Sequence, residues 1–237
     1  MDLFQAAAVL PQWAEKLATF DLETTGIDVR ESRIVSACIA ILDADGAVIE
    51  RNDWLANPGI PIPPQASAVH GITTERAVAE GRAAAEVVAE IHQVLRRCFA
   101  EGMALVIYNA PYDLSLLFHE AKRYGIEAIS EPKPIIDPLV IDKELDRFRK
   151  GKRTLVVTSA HYGVSLDDAH DAGSDAIAAA RVAQILARTY PDQLGISADE
   201  LHDQQLLWAK RQDESYQDWL RSQGRAGYGS RSWPLQK

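Results

Sequence analysis

Apolar and polar positions alternate over residues 18–24 and stop at the Thr25-Gly26 turn. This pattern predicts a strand with Asp21 and Glu23 on one face and Phe20 and Leu22 on the other. A second β-rich run at 33–42, the turn Asp43-Ala44-Asp45-Gly46 and a third run at 47–55 read as a hairpin, so the fold opens with three consecutive strands. Four prolines in residues 57–64 rule out a helix or central strand there and predict a loop, which leads through 68–73 into a helix-rich stretch at 74–99. Residues 103–108 suit a buried strand, and Pro111 fits the start of the next helix. A short strand is predicted at 134–137, helices at 138–148 and 154–162, and a longer helix at 176–187 with Asp171 as its N-cap. Strands and helices alternating after an initial hairpin indicate an α/β or α+β domain with a mixed sheet over 18–190.

Two flanking segments complete the plan. Residues 1–17 read as a helical segment around 4–10, interrupted at Pro11, that lies ahead of the first strand. Residues 191–237 read as a helix over 197–221, with Leu201, Leu206, Leu207, Trp208, Trp219 and Leu220 supplying apolar surface, followed by a flexible Gly/Ser/Arg-rich tail over 222–237. No internal repeat is present.

Composition narrows the class. A 237-residue chain that is 47% hydrophobic and 25% charged can bury a substantial core. No apolar run approaches a bilayer span, so no membrane association is expected. The first seventeen residues lack the basic start of a secretory signal, which makes the cytoplasm the expected compartment. Cys38 and Cys98 have neither metal-site nor disulfide spacing and read as small core residues. The net charge of -9 argues against a protein that coats polyanions generically, but not against an enzyme acting on nucleic acid at a local, metal-neutralised site.

Several side chains are candidates for chemistry. Asp21 and Glu23 side by side repel each other, and a hard divalent cation, Mg2+ or Mn2+, would relieve that; two solvated acids at a strand end would need no cation. Asp113 falls in the first turn after a strand end. It either stabilises the helix start or stands at the sheet edge where α/β folds build sites. Residues 143–153 hold six basic and two acidic side chains, which suits either a phosphate backbone or a solvated helix end.

Taken together, these segments resemble a known family. Phe-Asp-Leu-Glu-Thr-Thr-Gly (20–26), Tyr-Asn-Ala-Pro-Tyr-Asp (108–113) and His-Asp-Ala-Gly-Ser-Asp (170–175) occur in the order of the three exonuclease motifs, and His70-Gly71-Ile72-Thr73 resembles the family's H-G-I-T loop. Over about residues 18–190 the chain resembles the DnaQ-like 3′-5′ exonucleases of the DEDDh class, which include the proofreading epsilon subunit of bacterial DNA polymerase III. The resemblance implies a ribonuclease H-like fold, a central mixed sheet flanked by helices. It also implies that Asp21, Glu23, Asp113 and Asp175 hold two Mg2+ or Mn2+ ions and that His170 is the general base. Thr24, Thr25, Gly26, His70 and Asn109 would border the 3′-terminal nucleotide. The implied activity is hydrolysis of phosphodiester bonds from the 3′ end of single-stranded or frayed DNA, in proofreading or repair. A DNA polymerase or repair partner could bind through the C-terminal extension.

The chain departs from the family pattern at Tyr108, where His is common, and at Tyr112, where Phe is common; neither is a metal ligand. Tyr112 and Phe118 could stack on bases but read better as packing residues. Gln204-Gln205-Leu206-Leu207-Trp208 loosely resembles a sliding-clamp-binding pentapeptide, but lies in an amphipathic helix pattern. The nearest rival is an exoribonuclease or oligoribonuclease using the same acids and histidine. A catalytically silent scaffold module would be expected to have lost an acid, and none is lost. A haloacid dehalogenase-type phosphatase is rejected, since Glu23 stands where its second Asp belongs.

Overall fold

The computed structural model describes residues 9–166, 169–227 and 232–237. A short helix α1 (Gln12–Glu15) precedes the hairpin strands β1 (Leu17–Thr24), β2 (Ile34–Leu42) and β3 (Val48–Asn57). Helices α2 (Pro64–His70) and α3 (Thr74–Glu80), the two-residue strand β4 (Arg82–Ala83) and helix α4 (Ala84–Ala100) follow. Then come β5 (Leu105–Val106), α5 (Ala110–Arg123), β6 (Ile135–Ile136), α6 (Pro138–Leu145) and α7 (Leu155–His161), and finally α8 (Ala172–Thr189), α9 (Pro191–Leu194) and α10 (Ala198–Ser222). The described strands form one mixed sheet in the order β4-β3-β2-β1-β5-β6. β1 is antiparallel to β2 and parallel to β5.

The period-two pattern of β1 divides the molecule into layers. Ala18, Phe20 and Leu22 pack with β2 and with α4 and α5 on one side of the sheet. Leu17 packs on the other side with Cys38, Ala40, Leu42 and the alanine-rich α8. Thr19, on that same face, donates its hydroxyl to the carbonyls of Val106 and Ala176 at 3.1 and 2.8 Å, and so ties strand to helix. Cys38 and Cys98 are free and buried, as the sequence indicates.

Several expectations are corrected. Val9 and Leu10 are not helical, helix α1 lies wholly after Pro11, and the helical reading of 4–8 falls outside the described residues. The loop predicted over 57–64 gives way at its last residue to helix α2, which starts at Pro64 and is not predicted by the sequence pattern. The helix-rich stretch over 74–99 resolves into α3 and α4, broken at Gly81. There a Cβ would lie 2.6 Å from Asn57 N, so the close approach that lets 82–83 pair with β3 requires glycine. Helix α6 ends at Leu145, three residues earlier than predicted, and Arg149 and Arg153 fold back onto Asp142. Those two arginines are neither a phosphate contact nor a solvated helix end. Helix α8 begins at Ala172, four residues earlier than the pattern predicts, capped by Asp171.

The C-terminal part departs most from expectation. β6 is an edge strand, and α10 closes it with side chains. Ile135 N donates to His202 Nδ1 at 3.0 Å, Gln205 Nε2 donates to Ile135 O at 3.0 Å, and Asp137 N donates to Gln205 Oε1 at 2.7 Å. Gln204-Gln205-Leu206-Leu207-Trp208 is therefore packing at Gln205 and Trp208. The flexible tail expected over 222–237 is corrected at its end: Trp233 and Leu235 are buried in the α4–α5 core, and 228–231 lie outside the described residues.

Candidate active site

Because β1 and β5 are parallel, their carboxyl ends lie at the same edge of the sheet, and α5, the helix following β5, starts there. Helix α8 packs on the other face of β1 and brings its first turn to the same edge. Three elements thus deliver four acids to one place. Asp21 and Glu23 come from β1, Asp113 from the first turn of α5, and Asp175 from the first turn of α8. Asp113 Oδ1 accepts a hydrogen bond from Leu22 N at 3.1 Å, which fixes the helix against the strand between the two β1 acids. His170 N donates to both oxygens of Asp175 at 3.3 Å. Ligand atoms of Glu23, His170 and Asp175 all lie within 4.8 Å of one another.

The electrostatics are those of a site awaiting positive charge. Burial, then the nearby Asp113, Asp175, Glu23 and Asp171, hold Asp21 well above the usual carboxylate range. Burial and the charges of Asp175 and Asp171 push Glu23 up to about 8. Asp113 is raised by burial, against the lowering effect of backbone hydrogen bonds from its own amide and Leu22. Asp175 is raised by burial, with the His170 amide opposing. None of the four pairs with a lysine or arginine among the described residues. An all-oxygen donor set that repels itself and has no internal counter-ion fits a hard divalent cation.

The backbone around the acids is specialised. Asn109 and His170 are the non-glycine residues with positive φ among those described, at 65° and 71°, and both border the cluster. Asn109 is held there by Asp137, a buried acid whose importance the sequence reading missed. Asp137 accepts from Asn109 N and Ala110 N at 3.0 Å each, and from Leu139 N at 3.0 Å as the cap of α6. One carboxylate therefore caps the starts of two helices. The available signal was an Asp directly before Pro138, a helix-start signature.

The residues expected to border the nucleotide fall into the turn after β1 and two grooves. Thr24 Oγ1 donates to Gly26 O at 2.8 Å, and the Tyr112 hydroxyl also reaches Gly26 O, at 2.6 Å, and touches Thr24 Oγ1. Thr25 Oγ1 accepts from Arg33 N at 2.9 Å. These hydroxyls shape the turn after β1. His70 Nδ1 accepts from Ile72 N at 3.1 Å, and burial holds the imidazole below its usual range, opposed by a backbone hydrogen bond with Thr24. His70 and His170 line a groove of about 410 Å³ together with Arg51, Arg76 and Asp171. Asn109 and Tyr112 line a second groove, of about 550 Å³, with Ile27, Lys143 and Trp233. Tyr108 turns away, donating to Arg153 O at 2.7 Å, and Phe118 is core.

Comparisons with known proteins bear on the fold and the family. A family model described as exonuclease matches residues 19–183. An uncharacterised exonuclease of Escherichia phage 186 is 34% identical over 175 residues, which is 69% of this chain and 84% of that one. A DNA polymerase III subunit epsilon-like protein of Rhodobacter capsulatus is 34% identical over 165 residues, and the match spans 68% of this chain but only 22% of that protein. Of solved structures, the zinc-bound complex of E. coli exonuclease I with single-stranded DNA superposes with a TM-score of 0.64 at 21% identity, over 75% of this chain and 41% of that one. Exonuclease I of Methylocaldum szegediense gives 0.61 at 21%, over 87% and 45%. The structural likeness establishes the ribonuclease H-like fold, and the sequence matches establish descent: the chain belongs to the exonuclease family.

Proposed function

We propose that this chain is a divalent-metal-dependent exonuclease that releases nucleotides from the 3′ end of DNA, single-stranded or frayed, in proofreading or repair. The observation that carries the reading is the set of four converging acids, raised by burial and mutual repulsion and paired with no lysine or arginine among the described residues, beside His170. Asp21, Glu23, Asp113 and Asp175 would hold two Mg2+ or Mn2+ ions, which when bound would supply Lewis-acid stabilisation of the developing negative charge. His170, exposed at the mouth of the cluster, is placed to take the proton of the attacking water. Thr24, Thr25 and Gly26 form the turn against which the terminal nucleotide would rest. His70 and Asn109 line the two flanking grooves, where they would border the terminal nucleotide. The epsilon-like name of the Rhodobacter relative supports a DNA substrate and a polymerase or repair partner. In this reading the partner meets the exposed Leu206, Leu207 and Trp219 of α10. Among the described residues no helix is long and apolar enough to cross a membrane, in keeping with a cytoplasmic enzyme.

The test is a time course on 5′-labelled single-stranded DNA and matched RNA, with Mg2+ or with chelator, for the chain and its Asp21→Ala variant. A descending DNA ladder that disappears with chelator and in the variant is the expected result. A stronger ladder on RNA would replace the DNA reading with an exoribonuclease, and no ladder on either would leave a silent module.

A further inference from the structure

Asp113 is held at the start of α5 by contacts that come from the far end of the chain. Each oxygen of the buried Asp137 takes two donors. Oδ1 accepts from Asn109 N and Leu139 N, and Oδ2 accepts from Ala110 N and, at 3.2 Å, from the indole Nε1 of Trp233. The indole itself lies against His202 of α10, ring centroids 5.0 Å apart. Three residues further on, Gln236 N donates to Ser115 Oγ at 2.8 Å, and Ser115 in turn bonds to the Pro111 carbonyl. The returning segment therefore reaches the start of α5 on both sides of Asp113, at Asn109 and Ala110 through Asp137, and at Ser115 directly. An indole that only filled space would not need its N–H aimed at a carboxylate, and without that N–H Oδ2 would keep one donor beside an open groove.

We propose that Trp233 is a positioning residue for the metal site, acting through Asp137 to fix Asn109 in its left-handed conformation and so set where the Asp113 carboxylate stands. The inference rests on the nuclease reading above for its catalytic consequence, but the latch itself is a property of the fold. Groups that touch a metal ligand are worth roughly ten- to a hundredfold in metal affinity, and Trp233, acting from further back, belongs at the low end of that range.

The experiment uses the full chain and its Trp233→Phe variant, which keeps a ring against His202 and removes only the donor. Three readouts are taken: amide hydrogen exchange at Asn109 and Ala110, calorimetric titration with Mn2+, and kcat and KM on a 5′-labelled oligonucleotide. Expected are exchange at both amides faster by about tenfold, an Mn2+ dissociation constant raised by roughly tenfold, and a fall in kcat with KM unchanged. Gln236→Pro, which removes the donor to Ser115 at a different point, should move the same readouts in the same direction by less. A Phe variant with wild-type exchange at Asn109 and Ala110 and wild-type Mn2+ affinity, whatever its Tm, would overturn the latch and leave Trp233 as packing. If the unaltered chain cleaves nothing, the nuclease reading fails on its own, and the exchange and Mn2+ measurements still decide the latch.

Discussion

The molecule contains two sets of buried acids that the fold treats in opposite ways. Asp142 on α6 has a fully buried side chain, yet it is surrounded by donors from its own neighbourhood. Arg149 pairs with it, Arg153 Nη1 lies at 2.6 Å and the Tyr162 hydroxyl donates at 2.9 Å. Burial pushes its carboxyl upward, but the hydrogen bonds from Arg149, Arg153 and Tyr162 outweigh it and hold Asp142 below the usual range. Asp113 is likewise buried and Asp21, Glu23 and Asp175 are half-buried; among the described residues none of the four has an arginine or lysine partner, and all are raised. Desolvation is common to both sets, and the provision of cations is what separates them. Two arginines of the basic run are 10% and 13% exposed and are spent on Asp142, while the cluster at the sheet edge has no such partner among the described residues.

The sharpest way to break the contrast is at the unpaired cluster. Asp175→Asn should lower exonuclease turnover by about three orders of magnitude, since metal-supplied charge stabilisation is worth several kcal/mol. The metal-free variant should melt no lower than the parent, because an acid whose charge is unfavourable has been neutralised. A loss of less than tenfold in the ladder assay would end the assignment of Asp175 to the metal set.

Asp142→Ala should do the reverse, leaving two arginines buried without a counter-charge. Urea unfolding should show a loss of about 3–5 kcal/mol, with turnover per folded molecule retained. If turnover collapses while stability holds, Asp142 belongs to the site and the two regions are not distinct.

A graded effect is expected from pH. Glu23 rises from its ordinary 4.5 to about 8 on folding, so the folded state binds more protons than the unfolded one between those values. Metal-free protein should therefore lose stability as pH climbs from about 4.5 to about 8, and added Mn2+ should oppose the loss most strongly at the upper end. Urea midpoints across this range check the slope, and Glu23→Gln should flatten it. The smallest effect belongs to Lys150 and Lys152, exposed members of the basic run that touch no buried acid. Changing both to Ala should move stability by no more than about 0.5 kcal/mol.

Much of this was legible in the sequence where periodicity and local rules act alone. The alternation around Asp21 and Glu23 placed both on one face, and Asp171 before a helical stretch announced the cap that brings Asp175 into the first turn. What stayed hidden depends on partners far along the chain. His202 and Gln205 look like polar members of an amphipathic helix, yet they complete the edge of β6 from 67 and 70 residues away. Gln205 did leave a trace, since it falls on the same stripe as Leu201 and Trp208. The left-handed backbones of Asn109 and His170 are set by tertiary context, and no local pattern announces them. Nor could charge counting reveal that Arg149 and Arg153 face inward, because that follows from where α6 ends.

The way α10 seals β6 also sets a timetable for synthesis. A ribosome delivers Ile135 and Asp137 well before the residues that will cover them; at about 5–20 residues per second, the 67 to 70 positions to His202 and Gln205 take roughly 3–14 seconds. Trp233 reaches Asp137 only after 96 further residues have been added. The nascent chain can therefore assemble its hairpin and all four acids while one border of the sheet is still bare. A ribosome stalled before α10 would hold a nuclease core with an unsatisfied strand.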